Sequence, residues 1–376
     1  MKMKAVVKTK AGPGAELVET DVPEISDTEV LVKVKATSIC GTDVHIYQWD
    51  KWSNTRIGRK KLPQILGHEV AGEVVEVGKE VRKIKVGDYI SAETHIYDPW
   101  DLQSILCQAH LGEKMKILGV DRDGTFAEYI ALPENVCWVN HPSIPPEIAT
   151  LQEPIGNATY AVLGEDNDVA GKSMVIIGDG PAGLFSVGIA RLCGVTNIFL
   201  IGEWDYNLSI GKIMGADHII NIHKNDLDRV EYIRECTNGY GADIVLDMAG
   251  APEAIREGLK MLRRGGRFTA FGLSPTSTIY IDYNEEIVLK GLQIHGITGR
   301  KLFDTWYRVR NFLSSGRLNV YPVITHMFTL DEFQKGFDVI LERPRKAVKV
   351  ILFPDEKELK EAQKRLEMQR SVKGER

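Results

Sequence analysis

The first part of the chain, from residue 1 to about residue 157, alternates apolar and polar positions with a period of two. Residues 30–34 and 70–77 are the clearest examples, and β-branched side chains fill most of their apolar positions. Glycines separate these runs, as at Gly67 and Gly78. Period-two spacing with β-branched residues is typical of strands that bury one face. The pattern therefore predicts a strand-rich first domain.

A different pattern begins at about residue 158. Continuous apolar runs at residues 172–177 and 197–201 are each followed by apolar positions at helical spacing. Further strands of this kind are predicted at residues 218–220, 243–247, 266–271 and 292–296. Uninterrupted apolar strands that alternate with helices are typical of a doubly wound parallel sheet. We therefore predict an α/β protein with a Rossmann domain at residues 158–299.

The chain after Arg300 returns to a mixed pattern. It predicts a helix at residues 303–314 and a last alternating strand at residues 348–352. From Pro354 onward the sequence is dense in Lys, Glu and Arg. Such composition predicts a solvated terminal helix that frays.

Composition narrows the class of protein. The chain has 376 residues and a net charge of −5, which gives no electrostatic reason to bind nucleic acid or an anionic membrane. No apolar stretch approaches membrane-spanning length, and the first residues run directly into a strand rather than a signal peptide. The five cysteines are scattered, which suits a reducing compartment. We predict a soluble cytoplasmic protein without nucleic-acid or membrane partners.

Three short phrases carry side chains that can bind a metal. Cys40 begins Cys-Gly-Thr-Asp, His68 and Glu69 follow Gly67, and Glu153 precedes a proline. Thiolate, imidazole and carboxylate together are the ligands of a catalytic zinc with one open position. Taken singly, each residue has a simpler interpretation, because a lone cysteine is usually a small core residue and a histidine near a turn is usually hydrogen-bonded.

A glycine-rich phrase lies at the start of the predicted Rossmann domain. Gly178, Gly180 and Gly183 follow a predicted strand and open a helix, with Pro181 and Ala182 between the last two. Gly178 permits a tight turn, Gly180 lets the backbone approach a pyrophosphate, and Gly183 lets the helix pack on the strand. Glu203 lies about twenty residues further on, where a carboxylate accepts hydrogen bonds from ribose hydroxyls. Because it would repel a 2′-phosphate, the sequence favours NAD over NADP.

Together these phrases resemble the zinc-dependent medium-chain alcohol dehydrogenases, and within that family the L-threonine 3-dehydrogenases. The phrases that carry the closer resemblance are Thr37 to Tyr47, Glu93 to Ile96, Leu151 to Ala158 and Gly296 to Arg300. The resemblance runs from the N-terminus to about Leu352. It implies a GroES-like catalytic zinc domain at residues 1–157 and 300–376, joined to the NAD-binding Rossmann domain, in a homo-oligomer that is commonly a tetramer.

The resemblance also implies residue roles. Cys40, His68 and Glu153 would hold one catalytic zinc, with Glu69 as an occasional ligand. Thr42 and His45 match the family's proton-relay positions, since threonine can both donate and accept and histidine has a suitable pKa. His95 matches a substrate-side histidine, although a buried, hydrogen-bonded histidine is the open alternative. The Arg300 region would approach the cofactor or a neighbouring subunit.

Two positions depart from the family. Four lobe cysteines that bind a structural zinc in most relatives are replaced, so we predict no structural zinc and a lobe held by packing. The replacing residues are Asp98, Asp101, Ser104 and Gly112. Leu208 stands where relatives carry an arginine, so the sequence offers no cation there for a 2′-phosphate, which further favours NAD.

The implied reaction is oxidation of a secondary alcohol to a ketone, with hydride transfer to NAD. L-Threonine, giving 2-amino-3-oxobutanoate, is the first candidate substrate. A polyol, an inositol-type substrate or a sugar acid is the alternative. A different class, a non-catalytic NAD-binding protein or a zinc-free reductase, would be expected to lack Cys40, His68 and Glu153 together, whereas this chain has all three.

Overall fold

A computed structural model describes residues 1–58, 61–165, 167–224 and 227–374. The first part of the chain is mostly strand. Its strands are β1 (Lys2–Lys8), β2 (Glu16–Asp21), β3 (Glu29–Ile39), β4 (Gln64–Ile65), β5 (Glu69–Val77), β6 (Tyr89–Ala92), β7 (His95–Ile96), β8 (Lys116–Ile117), β9 (Tyr129–Pro133) and β10 (Cys137–Val139). Its helices are α1 (Gly41–Gln48), α2 (Lys51–Arg56), α3 (Leu102–Ile105), α4 (Pro146–Ala149) and α5 (Gln152–Leu163).

The second part alternates strand and helix, as the apolar runs predict. Its elements are β11 (Ser173–Ile177), α6 (Pro181–Leu192), β12 (Asn197–Gly202), α7 (Asp205–Met214), β13 (His218–Asn221), α8 (Arg229–Cys236), β14 (Ala242–Asp247), α9 (Pro252–Met261), β15 (Leu262–Ala270) and β16 (Gln293–Gly296). The chain ends with α10 (Asp304–Ser314), β17 (Ile324–Thr329), α11 (Phe333–Leu341), β18 (Lys349–Phe353) and α12 (Glu356–Gly374).

The Rossmann sheet has the strand order β13-β12-β11-β14-β15-β16. All of its neighbouring strands run parallel, from the pair β12 and β13 at one edge to the pair β15 and β16 at the other. The order reverses between β11 and β14, which is where ligands bind at the carboxyl ends of such sheets. The α/β class and the doubly wound sheet are therefore confirmed.

The seven-stranded sheet of the first part includes strands from both ends of the chain. β3 pairs with β5 and with β9, and β18 pairs antiparallel with β3, placing Val350 opposite Ile39. The expected return of the last strand to the first domain is thereby confirmed. The predicted boundary between residues 157 and 158 falls within α5, which is one continuous helix that contributes to both sides.

The expectation of a wholly solvated terminal helix was wrong for one face of α12. Leu359, Ala362 and Leu366 recur at helical spacing and are buried in the main core. On the same helix, Arg365 donates to both carboxylate oxygens of the buried Glu147, at 2.7 and 2.9 Å. The charged residues of the tail therefore lie on the rest of the helix surface, and the apolar residues form a narrow stripe along one face.

Candidate metal centre and cofactor site

Strand pairing brings three metal-binding side chains together. The ligand atoms of Cys40, His68 and Glu69 all lie within 4.8 Å of one another. Cys40 follows β3 and His68 precedes β5, and the register of these antiparallel strands sets Ser38 opposite Glu69. The sheet therefore places the thiol and the imidazole on one rigid platform.

Asp43 fixes the two loops to each other. It is fully buried in α1, and its carboxylate accepts the backbone N–H of Cys40 at 2.9 Å and that of Gly67 at 3.2 Å. Burial alone would lower the pKa of His68, but the charges of Asp43 and Cys40 raise it well above its usual value. The surroundings of His68 therefore favour a positive charge, which a metal cation supplies as well as a proton does.

Oε2 of Glu153 is buried and has no hydrogen-bond partner among the described residues. Nδ1 of His68, by contrast, faces the Asp43 carboxylate at 3.5 Å. A buried acceptor left unpaired is costly, and a metal cation would satisfy this oxygen. A thiolate, an imidazole and a carboxylate are the donors that zinc prefers, and these residues fit such an ion.

Glu69 is held on both oxygens. Lys349 lies 2.7 Å from one oxygen and 2.6 Å from the other, and the hydroxyl of Ser38 donates to Oε2. Lys349 is itself buried in β18, so the last strand of the chain contributes a charge to the metal centre. Occasional metal binding by Glu69 stays a prediction, because this carboxylate already has a cationic partner.

Arg300 lies inside the protein, against Glu153. Its Nη1 donates to Oε1 of Glu153 at 2.5 Å and to the side-chain oxygen of Asn157 at 2.9 Å. Its Nε donates to Oε2 of Glu93 at 2.7 Å, and its Nη2 donates to Oε1 of the same carboxylate. The guanidinium is fully buried, and its contact with Glu153, a predicted metal ligand, places it beside the metal centre. Its predicted contact with the cofactor stays a prediction.

His95 belongs to the same network. Its Nδ1 lies 3.1 Å from Oε1 of Glu93 and 3.4 Å from Nη2 of Arg300. The ring packs so closely on Gly299 that a Cβ there would lie 2.4 Å from its Cε1. Glu93 and its donor Trp306 were not among the residues predicted for the site. The only sequence signal for Glu93 was its position in the phrase that contains His95.

The two predicted relay residues lie on α1, beside the platform. Thr42 is half-buried in the first turn of that helix. The side chain of His45 is 58% exposed, and its Nδ1 lies 2.6 Å from a carboxylate oxygen of Asp50. Thr42 is therefore partly shielded from solvent, whereas His45 lies at the surface.

The glycine-rich loop has the geometry that a dinucleotide needs. Gly178 has a φ of +120°, which side chains rarely adopt. A Cβ on Gly183 would lie 1.9 Å from the carbonyl oxygen of Gly178, whereas a Cβ on Gly180 would meet nothing within 4 Å. Pro181 is the first residue of α6, and Ala182 follows it. The helix N-terminus thus faces open space beside Gly180, as phosphate binding requires.

Glu203 is exposed just beyond the end of β12, where the predicted ribose contact requires it. Leu208 is buried in the core, so its position does not report on the cofactor. Position 208 itself offers no cation, but two arginines from another part of the chain lie at this end of the sheet. Arg343 and Arg345, both from the loop between α11 and β18, lie beside Trp204 and near Glu203.

The lobe at residues 97–112 is held by a carboxylate. Asp101 is buried, and it accepts the backbone N–H of Gln103 at 2.9 Å and that of Glu113 at 3.2 Å. It therefore ties two parts of the lobe together, in addition to the packing that we expected. Asp98 caps the turn at Trp100. The number of zinc sites stays a prediction.

Comparison with known proteins gives consistent matches over most of the chain. The family described as alcohol dehydrogenase GroES-like domain matches residues 26–143, and the family described as zinc-binding dehydrogenase matches residues 181–315. An L-threonine 3-dehydrogenase from Caldanaerobacter subterraneus subsp. tengcongensis is 46% identical over 353 residues, covering 94% of this chain and 99% of the relative. One from Pyrococcus horikoshii is 46% identical over 351 residues, covering 93% and 98%.

Similar solved structures agree with the fold. An alcohol dehydrogenase from Thermotoga maritima has a TM-score of 0.85 at 28% identity, covering 94% of this chain and 100% of its own. A 2R,3R-butanediol dehydrogenase from Bacillus subtilis has a TM-score of 0.84 at 26% identity, with the same coverage.

Proposed function

Because this chain belongs to the zinc-dependent medium-chain alcohol dehydrogenases, we propose that it oxidises the secondary hydroxyl of L-threonine with NAD, giving 2-amino-3-oxobutanoate. The observation that carries the proposal is the cluster of Cys40, His68 and Glu69, whose ligand atoms lie within 4.8 Å of one another. Glu153 acts electrostatically on Glu69, and its Oε2 is buried without a hydrogen-bond partner among the described residues. Relatives that are 44–46% identical over nearly their whole length, and are named L-threonine 3-dehydrogenases, support threonine as the substrate.

In this proposal the thiolate of Cys40, the imidazole of His68 and one oxygen of Glu153 hold a single zinc. Zinc, when bound, polarises the substrate hydroxyl, and NAD, when bound, accepts the hydride. Arg300 occupies the other oxygen of Glu153, so the carboxylate has a fixed orientation. Partners of this kind orient metal ligands and tune their basicity.

The hydroxyl proton has to reach solvent from a buried site. The hydroxyl of Thr42 both donates and accepts hydrogen bonds, and the two ring nitrogens of His45 allow its imidazole to do the same. Asp50 accepts from Nδ1 of His45 and so holds its ring at the surface. We therefore assign Thr42 and His45 to the proton relay, and His95 to the substrate side of the site, where Glu93 fixes its ring.

NAD would lie across the carboxyl ends of β11 and β14. Gly178, Gly180, Pro181, Ala182 and Gly183 supply the turn and the helix N-terminus for the pyrophosphate. Glu203 would accept hydrogen bonds from the adenosine ribose. We further propose a cytoplasmic location, which the five free cysteines support. Along the described residues, no helix combines the length and the apolar character that a bilayer span needs.

A homo-oligomer, in the family's common tetrameric form, is also proposed. Two surfaces support it because they expose large apolar side chains. The lobe exposes Trp100, Leu102, Ile105 and Leu106, and the edge of the Rossmann sheet exposes Leu289 and Ile294. Patches of this kind commonly mark interfaces. Light scattering coupled to gel filtration would measure the mass, and a monomer at working concentrations would contradict the assembly.

Substrate preference is tested by initial rates of NAD reduction. L-Threonine, polyols and aldonates would be compared at equal concentrations, with added zinc and with chelator. We expect the highest kcat/KM with L-threonine and loss of activity with chelator. Faster turnover of a polyol or an aldonate would reassign the substrate. Turnover that survives complete removal of zinc would contradict the proposed chemistry.

A further inference from the structure

Two carboxylates stand close together where the adenosine end of a dinucleotide would lie. Asp179, inside the glycine-rich loop, accepts the backbone N–H of Glu203 at 3.1 Å and that of Trp204 at 2.7 Å. Glu203 itself is exposed, and one of its oxygens lies 3.3 Å from Nε2 of His223. An anionic cofactor that approaches two carboxylates meets repulsion, which a nearby cation would offset.

A loop from the other domain brings that cation. Arg343 lies just after α11, where its Nη1 donates to the carbonyl oxygens of residues 340, 341 and 342. The same guanidinium lies 5.6 Å from the centre of the Trp204 ring, in a cation–π contact. Pro344 follows and restricts the backbone. Arg343 is thus the anchor that fixes the loop against the end of β12.

Arg345, two residues further on, has an N–H group that is not used in this way. Its Nε is buried and has no hydrogen-bond partner among the residues that the structure describes. Burial and the charge of Arg343 lower the pKa of Arg345, and the charges of Asp179 and Glu203 oppose that shift, so both carboxylates lie within electrostatic reach. A buried N–H group that donates to nothing is costly, and an anionic or hydroxyl-bearing ligand would satisfy it.

We propose that Arg345 is a cofactor-binding residue that contacts the adenosine end of the dinucleotide, and that Arg345 and Glu203 together set the choice between NAD and NADP. This inference rests on the cofactor site of the proposed function. With Glu203 present, its charge opposes a 2′-phosphate and balances Arg345. Without that charge, the forked guanidinium of Arg345 offers a site that suits a phosphate.

The test measures binding of NAD and NADP by calorimetry without substrate, so it does not depend on turnover. The variants are Glu203→Gln, Arg345→Ala and the double variant, with Lys346→Ala as a matched control on the exposed neighbouring residue. We expect Glu203→Gln to tighten NADP binding about tenfold or more, in line with a charge-assisted hydrogen bond. Adding Arg345→Ala should remove most of that gain. Arg345→Ala alone should weaken NAD binding several-fold, and Lys346→Ala should change neither affinity.

The outcomes separate the two claims. A gain in NADP affinity that persists in the double variant would overturn the role of Arg345. Unchanged NADP affinity in Glu203→Gln would also overturn the proposed role of Arg345. Failure of the unaltered protein to bind NAD at all would instead contradict the proposed function. Arg345→Lys, which keeps the charge and loses the fork, should retain only part of the NADP gain, and it covers the case in which the alanine variant loses its fold.

Discussion

Arg300 donates to one carboxylate oxygen of Glu153, and the other oxygen of Glu153 is buried without a partner among the described residues. The two residues lie far apart in sequence, one in α5 and the other beyond β16. Because the guanidinium is also held by Glu93, it acts as a rigid support for Glu153. The free oxygen of that carboxylate is therefore presented in one fixed direction, as a metal ligand requires.

The first prediction concerns this support. Arg300→Lys keeps the charge but cannot reach Glu93 and Glu153 together, because an ammonium lacks the planar fork. We expect zinc affinity and kcat to fall about 10- to 100-fold, as for other residues that orient metal ligands. Zinc titration and initial rates would measure both. Lys301→Met, at the half-exposed neighbouring residue, is the control and should leave both values nearly unchanged.

The second prediction concerns pH. Burial raises the pKa of Glu93, but the charge of Arg300 and the hydrogen bond with His95 outweigh it and lower the pKa to about 2. Since the usual value is 4.5, the folded protein binds the proton less readily than the unfolded chain does. The stability from Glu93 is therefore complete above pH 4.5 and is lost as the pH falls toward 2.

Glu93→Gln should accordingly lower the free energy of unfolding at neutral pH, by about 3–5 kcal/mol if the buried ion pair is broken. It should also flatten the dependence of that free energy on pH between 4.5 and 2. Denaturant unfolding at a series of pH values measures both. Glu76→Gln, on an exposed carboxylate, is the control. Equal slopes for Glu93→Gln and the unaltered protein would contradict the ion pair.

The third prediction separates folding from cofactor binding in the glycine-rich loop. Gly180→Ala adds a methyl group where nothing lies within 4 Å, so the melting temperature should hardly change. The same methyl group stands where the pyrophosphate approaches, so NAD affinity should fall about tenfold or more. Gly183→Ala should destabilise the protein, because its Cβ would lie 1.9 Å from the Gly178 carbonyl oxygen. Unchanged NAD affinity in Gly180→Ala would place the cofactor elsewhere.

The fourth prediction concerns the lobe. Asp101→Ala removes the acceptor for the N–H groups of Gln103 and Glu113, and loss of such a cap costs about 1–2 kcal/mol. We expect faster hydrogen exchange over residues 97–117, with little change in the rest of the chain. Gln108→Ala, at an exposed position in the same lobe, is the control. Unaltered exchange in Asp101→Ala would mean that packing alone holds the lobe.

The repeating pattern of apolar positions predicted most of the fold. A strand or helix that buries one face must repeat apolar residues with its own period, so each element is recorded locally in the sequence. The run at residues 172–177 predicted β11, for example, and the glycines predicted the loop that follows it. The prediction of a solvated tail missed its buried face because three apolar residues at helical spacing are easily overlooked among many charges.

The partners of the site residues could not be predicted in the same way. Lys349 meets Glu69, and Arg345 approaches Glu203, only because β18 returns to β3 and the preceding loop reaches β12. Nothing local to either basic residue records which carboxylate it will face. Leu208 was interpreted from its place in the sequence a few residues after Glu203. The structure buries it in the core, so nearness in sequence did not put its side chain at the cofactor site.

The central claim is that Cys40, His68 and Glu153 hold one zinc on which L-threonine oxidation depends. The most direct test is Cys40→Ala, with Cys107→Ala on the exposed lobe cysteine as the control. Zinc content, NAD affinity and L-threonine-dependent NAD reduction would be measured on each protein. We expect one zinc per chain and full turnover in the unaltered protein and the control. Cys40→Ala should lose the zinc and the turnover and still bind NAD, and undiminished activity in that variant would contradict the account.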